Sequence, residues 1–383
     1  MSDDVIELLA VGDVQVRRRG DPKEGFLLAR DIMRDADIMF GNCEAVYAED
    51  KHGRTISLRG QGARADPHNL EAVVDAGFDV MSFANNHSLD AGFGGFFECL
   101  DRLKAAGIAT CGAGADIEEA RKPAIIERDG TKVAFLGYNA INFQGYAAAR
   151  GKPGVAPLTI YTYYEQIEHE QPGSRPRIRS FCKPEDLKAL KEDIRKAREQ
   201  ADLVVFTPHW GIHFTPIELT EYERTLAHEA IDAGADIVLG HHQHILKAVE
   251  VYKGKPIFYG LGNFVIDVYI GAHKHAPATA NSEAIAEMVG NHGEYGVAYR
   301  PETPTYPFHP DARNTLIARI EIADKQIKQS SFLPCYHSEL GQPEPLKAGT
   351  AQFDSTLDYV KHITRAAGFD TQFEVHGDEV VIS

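Results

Sequence analysis

Four times in this chain a helical stretch runs through a short Gly/Ala–Asp step into a brief apolar run. That repetition restricts the fold more than any other feature. The steps are Ala36-Asp37 before Ile38-Met39-Phe40, Gly77-Phe78-Asp79 before Val80-Met81, Ala201-Asp202 before Leu203 to Phe206, and Gly234-Ala235-Asp236 before Ile237-Val238-Leu239. A further apolar run, Val5 to Val11, opens the chain. Strand–helix alternation of this kind gives a mostly parallel sheet with helices on its faces. In such sheets the binding crevice lies outside the carboxyl ends of the strands.

Each run ends in residues able to hold a metal. The ends read Gly12-Asp13, Gly41-Asn42-Cys43-Glu44, Asn85-Asn86-His87, Pro208-His209-Trp210-Gly211 and Gly240-His241-His242-Gln243-His244. Turn chemistry explains an Asp or Asn at any single end. It gives no reason for His, Glu and Asp at five ends that should meet. In an extended turn His242 and His244 fall on one side and His241 on the other, because side chains alternate with period two. A mixed carboxylate, amide and imidazole set suits manganese, iron(II) or zinc better than calcium or magnesium alone. Six such ligands exceed what one open catalytic zinc requires. They suit two divalent ions about 3.5–4 Å apart, with one carboxylate, Glu44 or Asp13, bridging them.

Composition narrows the partner. The 383 residues carry 40 basic and 56 acidic side chains, a formal charge of −16. That argues against a nucleic-acid or anionic-membrane surface, since phosphate binding rests on Lys and Arg. A small or peptide-like anionic substrate fits if cations supply the local positive charge. The cysteines Cys43, Cys99, Cys111, Cys182 and Cys335 are odd in number and unpaired in spacing, which points to a reducing cytoplasm. The acidic start, Met1-Ser2-Asp3-Asp4, lacks the features of a secretion signal.

Elsewhere, helices are expected over Glu24–Ala36, Asn69–Ala76, Phe96–Ala106, Pro184–Gln200, Thr220–Ala233 and Ser355–Ala367. Hairpin turns are expected at Lys253-Gly254-Lys255 and around His376-Gly377-Asp378. Two long stretches, about 139–183 and 271–314, read as irregular insertions and candidate pocket walls. The expected organisation is a catalytic domain over residues 1–335 and a C-terminal helix-and-hairpin appendage over 336–383.

Taken together, these ends resemble the CapA family of poly-γ-glutamate capsule biosynthesis proteins, within the calcineurin-like metallophosphoesterase superfamily. The resemblance covers roughly Leu8 to Asp267. It rests on Val11-Gly12-Asp13, Asn42-Cys43-Glu44, Ala84 to Gly92, His209-Trp210-Gly211, Gly240 to His244 and Leu261-Gly262-Asn263-Phe264. It implies an α/β four-layer sandwich, two mixed sheets flanked by helices, with a small C-terminal α+β appendage. It implies Asp13, Glu44, Asn86, His209, His242 and His244 as ligands of two divalent ions, manganese first and zinc or iron(II) next. It implies His87 as the catalytic histidine outside the ligand set, a role suited to an imidazole that titrates near neutrality.

The chain departs from the family pattern in places. Gln15 stands where many superfamily members carry a second ligand, usually His. His213 stands where a Glu is common; it could be an added ligand or proton carrier, and a plain loop residue is the favoured reading. Gln243 and Gly260 replace Pro and Ser, and the membrane or secretion segment of capsule-assembly members is missing. Arg17, Arg18, Arg19, Arg59 and Arg64 offer bidentate anion contacts. Arg64 is favoured first, with Arg17, Asn42 and His213 as further substrate contacts. The implied reaction is attack of a metal-bound hydroxide on a phosphoester. The same site could instead cleave an amide such as a γ-glutamyl bond or move a proton on a peptide-like substrate. A non-catalytic accessory role in polyglutamate or capsule metabolism is the third reading.

Overall fold

The structure, a computed structural model, describes residues 5–18, 20–52, 62–168, 173–267, 296, 298, 300, 301, 303 and 306–383. The stretch expected to wall the pocket at 271–295, with His273, His275 and His292, lies outside the described residues, as do Arg19 and Arg59.

Two mixed sheets form the frame. The larger, of ten strands, contains β1 (Ile6–Gln15), β2 (Ile38–Cys43), β3 (Val80–Ser82) and β4 (Ala109–Cys111) as parallel neighbours. The smaller, of six strands, begins with the antiparallel pair β5 (Ala124–Arg128) and β6 (Thr131–Asn139). It continues in parallel through β7 (Leu203–His209) and β8 (Ile237–Leu239) to β10 (Lys255–Phe258), with β9 (Val249–Tyr252) as an antiparallel edge.

Each Asp of the repeated step fastens its strand to the strand beside it. Asp37 accepts the Glu7 N–H on its carboxylate at 2.8 Å and returns its own N–H to the Glu7 carbonyl at 3.1 Å. Asp79 does the same with Met39 (2.8 and 3.0 Å), Asp202 with Lys132 (2.9 and 2.9 Å) and Asp236 with Val204 (2.9 and 2.7 Å). A backbone N–H at the start of a strand would otherwise lack a partner, and the reciprocal pair also fixes the register.

Alternation along the strands sorts their side chains into three apolar layers. Leu8, Ala10, Ile38 and Phe40 of one sheet meet Val133, Phe135, Val205 and Leu239 of the other. Phe40 and Phe135 stack across this interface at 5.3 Å. Leu9, Val11, Met39 and Met81 face outward onto α1 (Arg30–Asp35), α2 (Leu70–Asp75) and α3 (Gly92–Ala105). Leu136, Val204, Phe206 and Val238 face α4 (Pro184–Arg198) and α5 (Glu221–Ala233). The order helix, sheet, sheet, helix is the expected four-layer α/β sandwich.

The C-terminal region forms the expected helix and hairpin. The hairpin Phe373–His376 and Glu379–Ile382 continues the larger sheet through Ser331 and Phe332. The helix, Ala351–Ala366, sends Phe353, Leu357, Val360 and Ile363 into the layer between the sheets. Both elements therefore complete the sandwich core rather than standing apart from it.

Other expectations needed correction. The Glu24–Ala36 helix is broken into a 3-10 turn at Pro22–Phe26 and the short α1, Asp21 capping the first. Part of the supposedly irregular 139–183 stretch is a hairpin, Ile160–Glu165 paired with Arg177–Cys182. Among the described residues no helix is long and apolar enough to cross a membrane. All five cysteines are buried free thiols.

Candidate metal centre

The five strand ends converge. Asp13 sits where β1 shifts register against β2, beside the short parallel strand β11 (Asn263–Ile266). The shift needs Gly12, since a Cβ there would lie 2.0 Å from the Gly262 carbonyl oxygen. That close approach lets the Asp13 N–H reach the same oxygen at 2.9 Å. Gly240 plays the same part in the histidine turn, where a Cβ would meet the Tyr259 carbonyl at 2.0 Å.

Among the described residues two groups of side chains could each hold a metal ion, and Glu44 belongs to both. One is Glu44, His209 and His242; the other is Asp13, Glu44 and His244. In the first, His209 Nε2 lies 2.7 Å from Asn86 Oδ1, 3.1 Å from His242 Nδ1 and 3.5 Å from Glu44 Oε1. In the second, His244 lies 3.3 Å from Asp13 Oδ2 through Nδ1 and 3.7 Å from Glu44 Oε1 through Nε2. Asp13 and Glu44 are completely buried, and both Glu44 carboxylate oxygens lack a hydrogen-bond donor among the described residues. An ionised carboxylate in that condition is costly unless a cation compensates it.

The protonation pattern agrees. Burial, then Asp13, pushes Glu44 up to about 8. Burial also opposes ionisation of Asp13, but the neighbouring His241 and His244 imidazoles hold it well below the usual carboxylate range. Burial keeps His209 and His242 well below the ordinary imidazole value, so their lone pairs are available. Against burial, Glu44 and Asp13 raise His244 to about 9. Two acids and three imidazoles, all oxygen and nitrogen donors, thus surround a space that favours positive charge, and the residues fit two borderline divalent ions.

The histidine turn differs from its expected form. His242 and His244 have positive φ, 93° and 55°, so they converge through a left-handed turn and not by strand alternation. Non-glycine residues in this region are uncommon and cluster at functional sites. His241 does not point away from the site: it is buried, with Nδ1 3.5 Å from Asp13 Oδ1. His213, read as a loop residue, lies against the ligand pair, 3.9 Å from the His242 ring and 5.2 Å from His244 between ring centres.

His87 stands at the rim, backed by Asp90. Its Nδ1 is 2.7 Å from Asp90 Oδ2, and Asp90 also accepts from Ala63 N–H and the Tyr146 hydroxyl, both at 2.8 Å. Against burial, Asp90 and then Glu44 raise the His87 pKa. Sequence reasoning does not single out Asp90, although it stands three residues after His87 within Ala84 to Gly92; Tyr146 comes from the 139–183 stretch expected to wall the pocket.

The expected substrate contacts divide. Asn42 is fully buried and donates to Asp13 Oδ1 at 2.8 Å while accepting from Asn85 at 3.3 Å, so it orients ligands from within. Gln15 turns from the ligand groups and donates to the Glu44 carbonyl at 3.2 Å. Arg17 reaches the Gly62 carbonyl at 2.6 Å, beside the His87 ring. Arg64, favoured from sequence, is tied to the Ala48 carbonyl at 3.2 Å and to Asp50 at 3.4 Å. Arg18 pairs with Asp267 at 3.0 Å.

Two departures from the family pattern compensate each other. Gln243 donates to buried Glu223 at 3.0 Å and to the Tyr259 carbonyl at 2.9 Å. A Cβ at Gly260 would lie 2.7 Å from Gln243 Oε1. The larger side chain at 243 therefore depends on the missing one at 260.

Comparison with known proteins adds a family. The profile of the bacterial capsule synthesis protein PGA_cap matches residues 7–268. The PGA biosynthesis protein CapA of Bacillus subtilis (strain 168) is 30% identical over 274 residues, 70% of this chain and 64% of that protein. The capsule biosynthesis protein CapA of Bacillus anthracis is 31% identical over 236 residues, 61% of this chain and 52% of that protein. The chain thus spans less than two thirds of the length of either relative. A solved calcineurin-like phosphoesterase of Bacillus subtilis covers 95% of this chain and 97% of its own at 14% identity, with a TM-score of 0.42, a likeness too loose to speak to function.

Proposed function

The chain belongs to the bacterial capsule synthesis family PGA_cap, and on that footing we propose that it is a hydrolase dependent on two divalent cations, acting on a phosphoester of a small anionic substrate. One observation carries the reading. Among the described residues Glu44 is a buried carboxylate without a hydrogen-bond donor, shared by two groups of imidazole and carboxylate side chains. The residues that would hold the cations are Asp13, Glu44, Asn86, His209, His242 and His244, with Glu44 common to both groups. Manganese is the first choice of ion, and zinc or iron(II) the next. Cations held there would polarise a phosphoryl oxygen and lower the pKa of water.

The chain's own residues do the rest. Asn42 orients Asp13, Asn85 holds Asn42, and Asn85 Oδ1 takes the His87 N–H at 3.0 Å to set that turn. His87, aligned by Asp90, holds a proton at the rim for a leaving oxygen. Arg17 and His213 are the proposed substrate contacts nearest the cluster. The buried free thiols support a reducing, cytoplasmic location.

The relatives' names, PGA biosynthesis and capsule biosynthesis, favour a second reading in which the same groups act on a γ-glutamyl or peptide-like amide. A screen of manganese-reconstituted protein against phosphoesters and γ-glutamyl amides decides between them. Turnover of phosphoesters alone is expected. Turnover of amides alone selects the second reading, and turnover of neither by fully loaded protein points to an accessory role.

A further inference from the structure

We propose that Asn263 is a positioning residue that fixes the tautomer of His244, keeping the proton on Nδ1 and turning Nε2 to the cations. The ligand role of His244 rests on the function proposed above; the tautomer follows from hydrogen bonds alone.

The Ala312 carbonyl can only accept, so the Tyr306 hydroxyl, 2.8 Å away, must donate to it. With its single proton committed, the Tyr306 oxygen accepts from Asn263 Nδ2 at 2.9 Å. The amide is then oriented, and Asn263 Oδ1 faces His244 Nδ1 at 2.7 Å. An amide oxygen only accepts, so Nδ1 carries hydrogen. Reversing the amide would ask one hydroxyl proton to serve both Ala312 and Asn263. The nearby Asp13 Oδ2, at a longer 3.3 Å from Nδ1, is a weaker acceptor on the same side and does not fix the tautomer by itself. Nε2 is left toward Glu44.

The relay is built into the fold. Asn263 pairs in register with Asp13 at the start of β11. Tyr306 is buried and stacks on His337 at 4.6 Å. His337 is fixed between the carbonyls of Arg313 and Phe264, at 3.2 and 3.1 Å. Partners that fix the free nitrogen of a ligating histidine typically change metal affinity about 10–100-fold.

The test uses full-length protein with 15N-labelled histidine, metal-free, at a pH high enough to hold His244 neutral. Long-range 1H–15N correlation reads the tautomer, with the His244 signal assigned by its loss in His244→Gln. Wild type should show hydrogen on Nδ1. Asn263→Leu should move it to Nε2 and weaken one of two Zn2+ sites about 10–100-fold in chelator competition. Asn263→Asp, which keeps an acceptor, should restore the tautomer. Tyr306→Phe leaves Asn263 in place but unlocks its amide, and should shift the tautomer toward Nε2 should the leucine variant not fold. Hydrogen on Nε2 in wild type, or an unchanged tautomer in both Asn263→Leu and Tyr306→Phe, overturns the proposal. Failure of wild type to bind Zn2+ would instead overturn the two-cation reading, with the tautomer still decided by the spectrum.

Discussion

His87 Nδ1 lies 2.7 Å from Asp90 Oδ2, and the two side chains differ in access, 21% exposed for His87 against 4% for Asp90. The carboxylate holds one ring nitrogen from inside and leaves the ring at the rim. His87→Asn should therefore lower kcat about 10²–10⁴-fold, with about two ions per chain retained by elemental analysis. Asp90→Asn should cost about 10–100-fold. A His87 variant with wild-type turnover would remove that residue from the chemistry.

Glu44 sits between His209 and His244, 3.5 Å from one and 3.7 Å from the other. Glu44→Gln should weaken both ions, so isothermal titration with Mn2+ should lose both binding events. His244→Ala should lose one and keep the other. Equal losses in the two variants would argue against a bridge.

Lys247 is buried and donates to the carbonyls of Thr215 and Glu218, the second at 2.8 Å; burial lowers its pKa to about 8. Unfolded, the same amine titrates near 10.4, so between these values the unfolded chain binds more protons. Stability contributed by this site therefore rises with pH across that window. Denaturation of wild type and Lys247→Met, compared at pH about 7.5 and about 10, should show a relative gain for wild type of about 1–3 kcal/mol. A gain of opposite sign would contradict burial as the cause.

Asp236 accepts from Val204 N–H and pairs with Lys255 at 2.7 Å and Arg198 at 2.5 Å. Asp236→Ala leaves that N–H without its partner and should destabilise the fold by about 1.5–3 kcal/mol. Urea denaturation should show the loss, and metal stoichiometry should not change. A loss of bound metal at full stability would mean that the Asp steps serve the site directly.

The legible part of this protein was the part whose cause is local. Apolar runs and the Asp steps marked strands and their ends, and chemistry at the ends marked candidate ligands; Asp13, Glu44, Asn86, His209, His242 and His244 lie together in one cluster. The Ile160–Glu165 hairpin was read as irregular because strand pairing there, not periodicity, makes the structure. His213 was read as a loop residue because nothing in its neighbours says that the loop folds back over His242.

By itself, then, the sequence determined a parallel sheet with helices on its faces and which side chains arrive at its open end, since both follow from backbone geometry within a few residues; the second sheet and the four layers entered only through the family resemblance. Only the tertiary structure decided what each of them does there. It set Glu44 between two ligand groups, sent Asn42 inward, drew His241 to Asp13 and placed Asn263 against His244. These are choices of hydrogen-bond partner between residues distant in sequence. They depend on which donor is nearest once water is excluded, and only packing brings those atoms together.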